Sequence, residues 1–199
     1  MAIIFATGGV LYADYGAVNG LWKYDAAAPP ANAWTKINWG AAPTAMVASG
    51  SILYADYGAA TGLWKYDATA PLATAWTKIN WGAAPAQMTA SGSVLYADYG
   101  AVDGLWKYNG TWTKINSGVA PAKMATASTV LYADYGAVDG LWKYDGAWTK
   151  INFGTAPTSI VASGAILYAD YGASGVWKWE GGVWTQLSAA DATLIAAGF

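Results

Sequence analysis

The sequence predicts an all-β fold built from five repeated four-stranded antiparallel sheets, and three observations lead there. The stretch Leu-Tyr-Ala-Asp-Tyr-Gly starts at Leu11, Leu53, Leu95, Leu131 and Leu167, at spacings of 42, 42, 36 and 36 residues. Each copy lies among short runs rich in aromatic and β-branched residues that Gly, Pro or Asp interrupt, which is the pattern of strands and tight turns. No window of about 11 residues carries apolar positions at helical period. A repeat of this length suits one blade of four short strands and exceeds the roughly 20 to 29 residues of a leucine-rich coil. The fold class that follows is a five-bladed β-propeller of four-stranded antiparallel blades in one domain, 1–199, with an open stack of β-sheets as the alternative.

The repeats run approximately 3–44, 45–86, 87–122, 123–158 and 159–199. In the second, strand a is the apolar run Ala45-Met46-Val47-Ala48-Ser49, closed by the turn pair Gly50-Ser51. Strand b is Ile52-Leu53-Tyr54-Ala55-Asp56-Tyr57, strand c is Leu63-Trp64-Lys65-Tyr66-Asp67 and strand d is Trp76-Thr77-Lys78-Ile79-Asn80. Strands b and c are apolar or aromatic at nearly every position, as expected where neighbouring blades cover both faces. The repeats change length only between strands c and d: Asp145-Gly146-Ala147-Trp148 is tight, whereas ten residues from Asp25 to Trp34 fill the same place in the first repeat. An Ala/Pro insertion of that kind is expected in an exposed loop. Strand a has a sixth copy, because both Ile3–Gly9 and Thr193–Phe199 match it. One is expected to complete the last blade, and the spare to fray or to pair with another molecule.

Composition narrows the function. The chain has no Cys and no His, which removes disulfides, thiolate sites, most zinc sites and most nucleophilic triads. Its 10 Lys and 12 acidic residues are spread through the repeats, so no cationic face is expected for nucleic acid. No segment approaches the roughly 18 apolar residues of a membrane span. The opening Met1–Gly8 has no basic start or long apolar run, so no signal peptide is expected; the sequence leaves the localisation open, with an extracellular or cell-surface setting favoured. The 13 Trp and 14 Tyr carry about 5,400 Å² at ~200 Å² each, against about 9,000 Å² for the whole surface of a folded chain of this mass, so core packing is the expected role of most of them.

In a four-stranded meander the b–c and d–a connections share one end of the sheet. That end collects Asn38-Trp39, Asn80-Trp81, Asn116-Ser117 and Asn152-Phe153, together with Tyr57, Tyr99 and Tyr135. An amide beside an aromatic plate meets the needs of a sugar ring, whose hydroxyls take hydrogen bonds and whose C–H face stacks. The candidate carbohydrate-binding residues are therefore Asn38, Trp39, Tyr57, Asn80, Trp81, Tyr99, Asn116, Tyr135, Asn152 and Phe153. The same residues have a plain structural explanation, since Asn favours turns and the aromatics can fill gaps between blades.

Each repeat also carries an Asp on strand b and a Lys on strand c. Asp14 with Lys23, Asp56 with Lys65, Asp98 with Lys107, Asp134 with Lys143 and Asp170 with Lys178 are expected to form structural ion pairs, because either charge alone would be costly between packed blades. Asp98 and Asp103 lack the alternate-residue carboxylates of a calcium loop, so no metal or cofactor is expected. Glu180, the only Glu, and Asp191 have no motif that would make them a glycosidase pair, and no enzyme activity is expected. The sequon Asn109-Gly110-Thr111 lies in a tight turn.

The succession Trp-Thr-Lys-Ile-Asn, Met-Val-Ala-Ser-Gly, Leu-Tyr-Ala-Asp-Tyr-Gly, Gly-Leu-Trp-Lys-Tyr-Asp resembles the blades of tectonin- and tachylectin-type β-propeller lectins over essentially the whole chain. The resemblance implies shallow pockets between adjacent blades, one per blade, for glycans such as N-acetylated or O-methylated sugars. Two other readings stand beside this multivalent lectin. The near-identity of Leu95–Tyr108 and Leu131–Tyr144 also fits a symmetrised propeller with no selected ligand, and exposed edge strands fit a self-assembling surface repeat that associates through a terminal strand.

Overall fold

A computed structural model of the protein describes residues 3–7, 9–38, 40–80, 82–152 and 154–197, with side chains from residue 9 onward. Five four-stranded sheets follow the chain in meander order. The first contains β1 (Ile3–Thr7), β2 (Val10–Asp14), β3 (Leu21–Asp25) and β4 (Trp34–Asn38), and the second β5 (Ala45–Ser49), β6 (Ile52–Asp56), β7 (Leu63–Asp67) and β8 (Trp76–Asn80). The third contains β9 (Gln87–Ser91), β10 (Val94–Asp98), β11 (Leu105–Tyr108) and β12 (Trp112–Asn116). The fourth has β13 (Lys123–Ala127), β14 (Val130–Asp134), β15 (Leu141–Tyr144) and β16 (Trp148–Asn152), and the fifth β17 (Ser159–Ser163), β18 (Ile166–Asp170), β19 (Val176–Glu180) and β20 (Val183–Ser188). The chain forms two compact units, 1–95 and 96–199.

Burial follows strand position. Strand b is the most enclosed: every residue of β6 and of β10 is buried, and Tyr12, Tyr54, Tyr96 and Tyr132 are among the largest fully buried side chains. No described tryptophan reaches that class, which corrects the expectation that Trp belongs to the core. The physical reason is placement, since the strand tryptophans sit on strands c and d and none on the fully enclosed strand b.

Between strands b and c the chain makes one helical turn: α1 (Gly16–Asn19), α2 (Gly58–Thr61), α3 (Gly100–Asp103) and α4 (Gly136–Asp139), with a 3-10 turn at Gly172–Ser174. The strand-b aspartate holds this turn. Asp14, Asp56, Asp98, Asp134 and Asp170 are all buried, and their carboxylates accept from the backbone N–H of Gly16, Gly58, Gly100, Gly136 and Gly172 at 3.0–3.2 Å. Thr44 and Thr158 donate to Asp56 and Asp170 at 2.7 Å, and where the fourth sheet has Ala122 at that position, Lys123 lies 3.4 Å from Asp134 instead.

The expected Asp–Lys ion pairs do not form. Asp14, Asp56, Asp134 and Asp170 stand opposite Leu21, Leu63, Leu141 and Val176, while Lys23, Lys65, Lys143 and Lys178 stand opposite Tyr12, Tyr54, Tyr132 and Tyr168, two rungs away. Asp98 is held by the Gly100 N–H and forms no salt bridge with Lys107. Lys143 and Lys178 turn outward to Asp145 at 2.6 Å and Glu180 at 2.8 Å.

A β-bulge at the start of strand c supplies the link between sheets. Leu21 faces Asn38 but Trp22 faces Lys36, so Ile37 is left over, and the same shift recurs at Leu63, Leu105, Leu141 and Val176. A bulged residue loses its ladder partner. In the first unit the Ile37 carbonyl accepts the indole N–H of Trp76 from the next sheet at 2.8 Å. In the second unit Ile115 and Ile151 accept from Trp148 and Trp184 in the same way.

The long c–d connections are only partly exposed. Ala33 and Ala75 are buried, their carbonyls accept from Asp25 and Asp67 at 2.9 Å, and Ala68 and Ala70 pack on the cluster around Tyr12 and Tyr66. The sixth copy of strand a also departs from expectation. Ile3–Thr7 pairs with Val10–Asp14 in the first sheet, the last sheet has its own β17, and residues 193–197 join no strand. With each sheet already holding four strands, none is left for the extra copy to fill. No described helix is long and apolar enough to cross a membrane.

Candidate functional site

The bulge ends strand d on an asparagine whose side chain meets a tyrosine of the following sheet. Asn38 Nδ2 donates to Tyr57 Oη at 2.6 Å, Asn116 to Tyr135 at 2.8 Å and Asn152 to Tyr171 at 2.7 Å. Each amide also reaches the carbonyl three residues on, at Ala41, Val119 or Thr155, at 3.1–3.4 Å. The short turn made by Asn thus positions its own side chain.

Around each amide–phenol pair two indoles complete a cleft. One is the strand-d tryptophan fixed by the bulge carbonyl: Trp76, Trp148 and Trp184 lie edge-on to Tyr57, Tyr135 and Tyr171 at 5.9–6.3 Å. The other opens strand c, and its indole N–H is spent on the preceding turn: Trp64 on Thr61, Trp142 on Asp139 and Trp177 on Ser174, at 2.7–3.1 Å. Lys78 and Lys150 stand 5.8 and 5.7 Å over the Trp64 and Trp142 rings, the distance of a cation–π contact. The three clefts have volumes of about 300, 290 and 310 Å³ in chain order.

These clefts bring together Asn38 with Tyr57 and Asn116 with Tyr135 from the sequence-derived set, and they join Asn152 to Tyr171, which that set lacks. Asn80 belongs to the first unit, where it donates to the Ala83 carbonyl at 3.3 Å, and Tyr99 to the second, where it lies 6.2 Å from Trp112. Trp39, Trp81 and Phe153 lie outside the described residues. Trp64, Trp76, Trp142, Trp148, Trp177 and Trp184 were also missed as cleft residues. The repeated Trp at the start of strands c and d carried that signal.

Burial dominates the electrostatics. It pushes the Tyr57, Tyr135 and Tyr171 phenols up to about 12, the bond from Asn38, Asn116 or Asn152 pulls the other way, and Asp14, Asp98 or Asp134 nearby adds to the rise. The folded state therefore favours the neutral phenol. Its stabilisation is full below the ordinary tyrosine value of about 10 and disappears as pH rises through about 12. Thermal melts stepped through alkaline pH should show constant stability to about pH 9 and a fall between about 10 and 12, together with the ultraviolet signal of tyrosinate. A fall that begins below pH 9 would contradict this assignment.

Among the described residues no group of three His, Cys, Asp or Glu side chains converges. No family model matches the chain, and no curated relative does. Solved structures do match. The GH74 xyloglucanase from Xanthomonas campestris aligns with a TM-score of 0.59 at 15% identity, covering 93% of this chain and 31% of that one. The RRP9 WD40 repeats align at 0.54 and 12% identity, over 86% of this chain and 57% of theirs, and the computationally designed Ika8 protein at 0.56 and 12%, over 89% and 57%. The chain has the five-bladed β-propeller fold. At these identities the likeness concerns the blades alone, and it leaves the lectin resemblance at the level of the propeller.

Proposed function

We propose that this propeller is a multivalent carbohydrate-binding protein whose shallow sites lie between adjacent blades. The observation that carries the reading is the recurrence of one cleft three times, each with an Asn–Tyr pair set between two tryptophans. The indoles offer surface for the C–H face of a sugar. Each tyrosine hydroxyl accepts from the asparagine amide and donates to no described residue, so its proton is available to a sugar hydroxyl. Glycans carrying N-acetyl or O-methyl groups suit such clefts, where a methyl group can lie against the rings.

Binding without catalysis is part of the reading. Glu180 is engaged by Lys178 at 2.8 Å and lines none of the three clefts. Weak single sites would act together through multivalency, which raises avidity by roughly 10² to 10⁴. Trp64→Ala and Trp142→Ala should each reduce affinity at their own cleft about tenfold, or ~1.4 kcal/mol, and the double variant should abolish agglutination that free sugar also reverses. A glycan array with no signal above background would reject the proposal and favour a symmetric scaffold without a ligand.

A further inference from the structure

A second kind of cavity, of about 380 Å³, opens at the other end of the sheets between the fourth and the fifth. The a–b turns at Ser128 and Gly164 and the Gly181-Gly182 turn form its rim, and Tyr132, Lys143 and Trp179 form its wall. The fifth repeat joins strands c and d by the short Gly181-Gly182 turn at this rim. In the first unit the long loop after Asp67 lays Ala68 and Ala70 on the corresponding core.

Tyr132 marks the cavity as more than a packing gap. Its counterparts Tyr54 and Tyr96 donate to the carbonyls of Ser93 and Thr129 in the next a–b turn at 2.8 Å, and Tyr12 reaches Ser51 at 3.5 Å. The Tyr132 hydroxyl has no such partner among the described residues, although the side chain is only 2% exposed. No fully buried side-chain polar atom lacks a partner among the described residues, so the Tyr132 hydroxyl opens into the cavity, where a ligand can take its proton. Trp179, which replaces the usual tyrosine of strand c, lies 5.9 Å from Tyr132, and its indole N–H is likewise unpartnered among the described residues. Lys143 stands 5.6 Å over the Trp179 ring.

We infer that this cavity binds a small organic carboxylate with an apolar body, its carboxylate on Tyr132 and Lys143 and its body against Trp179. Tyr132 and Lys143 stand opposite each other across strands b and c and both line the cavity, so one carboxylate can accept from both, with charge-assisted strength from the ammonium. Burial, followed by the charge of Asp145, holds the Tyr132 phenol above its ordinary value, so it remains a donor at neutral pH. Asp145 occupies Lys143 in the free protein, at 2.6 Å. That pair is partly exposed, and exposed pairs are weak enough for a ligand carboxylate to displace. This site is independent of the sugar clefts.

Phenylacetate is a suitable probe, followed by the indole N–H resonance that Trp179→Phe removes. A saturable shift is expected, weakened at least tenfold in Tyr132→Phe and Lys143→Gln and strengthened severalfold in Asp145→Asn, which removes the competitor. Tyr132→Phe should melt like the parent, since no protein hydrogen bond is lost, whereas Tyr96→Phe should melt lower. Lys143→Gln keeps the test open if the tyrosine variant does not fold. No saturable shift, equal binding of the neutral phenylacetamide, or parental affinity in Tyr132→Phe would each overturn the inference.

Discussion

Gly140→Ala is expected to destabilise the second unit by roughly 3 kcal/mol or more. Gly140 closes α4 at φ 81 and ψ −171, a backbone region that only glycine occupies readily, and forcing another residue there costs about 1–3 kcal/mol. An added Cβ would also collide with the carbonyl oxygen of Asn152 and the Lys150 side chain. That collision bears on the cleft directly, because Asn152 ends the bulged strand and donates to Tyr171 at 2.7 Å. Gly146→Ala is the control. It has φ 109 but nothing within 4 Å of the new atom, so it should show only the strain and leave the cleft intact. Urea unfolding of both variants separates the two contributions, and equal losses would show that the close approach to Asn152 does not matter.

Tyr54→Ala should cost about 4 kcal/mol, the range for emptying a fully buried aromatic site. Tyr54 is 0% exposed at the centre of β6 and donates to Ser93 at 2.8 Å. Tyr54→Phe keeps the ring and should lose only about 1 kcal/mol, the net value of one hydrogen bond. The difference between the two measures packing. Were the phenylalanine variant as unstable as the alanine one, the phenol's bond to the next a–b turn would be the main support of the first unit.

The blades were legible because a strand declares itself locally. Leu-Tyr-Ala-Asp marks strand b in all five sheets, and the Gly-bounded runs mark strands c and d. The Asp–Lys pairing was not legible, because side-chain partners depend on register. Asp56 falls opposite Leu63, and Lys65 opposite Tyr54. The bulge was hidden for a related reason: nothing in Trp-Lys-Tyr-Asp announces that Ile79 will lose its ladder partner, although the backbone at Gly62 comes close to Asn80 beside it. For the clefts, Asn38, Asn116 and Asn152 with Tyr57 and Tyr135 could be read from their common end of the sheet. The tryptophans were passed over although Trp recurs near the start of strands c and d in every repeat, because composition assigns large aromatics to the interior. Tyr171 carried the same Tyr-Gly signal as its counterparts in a repeat whose other positions have drifted.

The link from a strand-d indole to the preceding sheet's bulge carbonyl is directional: in the three described links, Trp76 to Ile37, Trp148 to Ile115 and Trp184 to Ile151, the later sheet donates and the earlier one accepts. Such a head-to-tail joint is heterologous, so a whole copy inserted in frame arrives with both fittings in place, while a partial copy leaves one indole and one carbonyl unmatched. Growth of the gene by duplication of complete modules is thus chemically permitted, and growth by fragments is penalised.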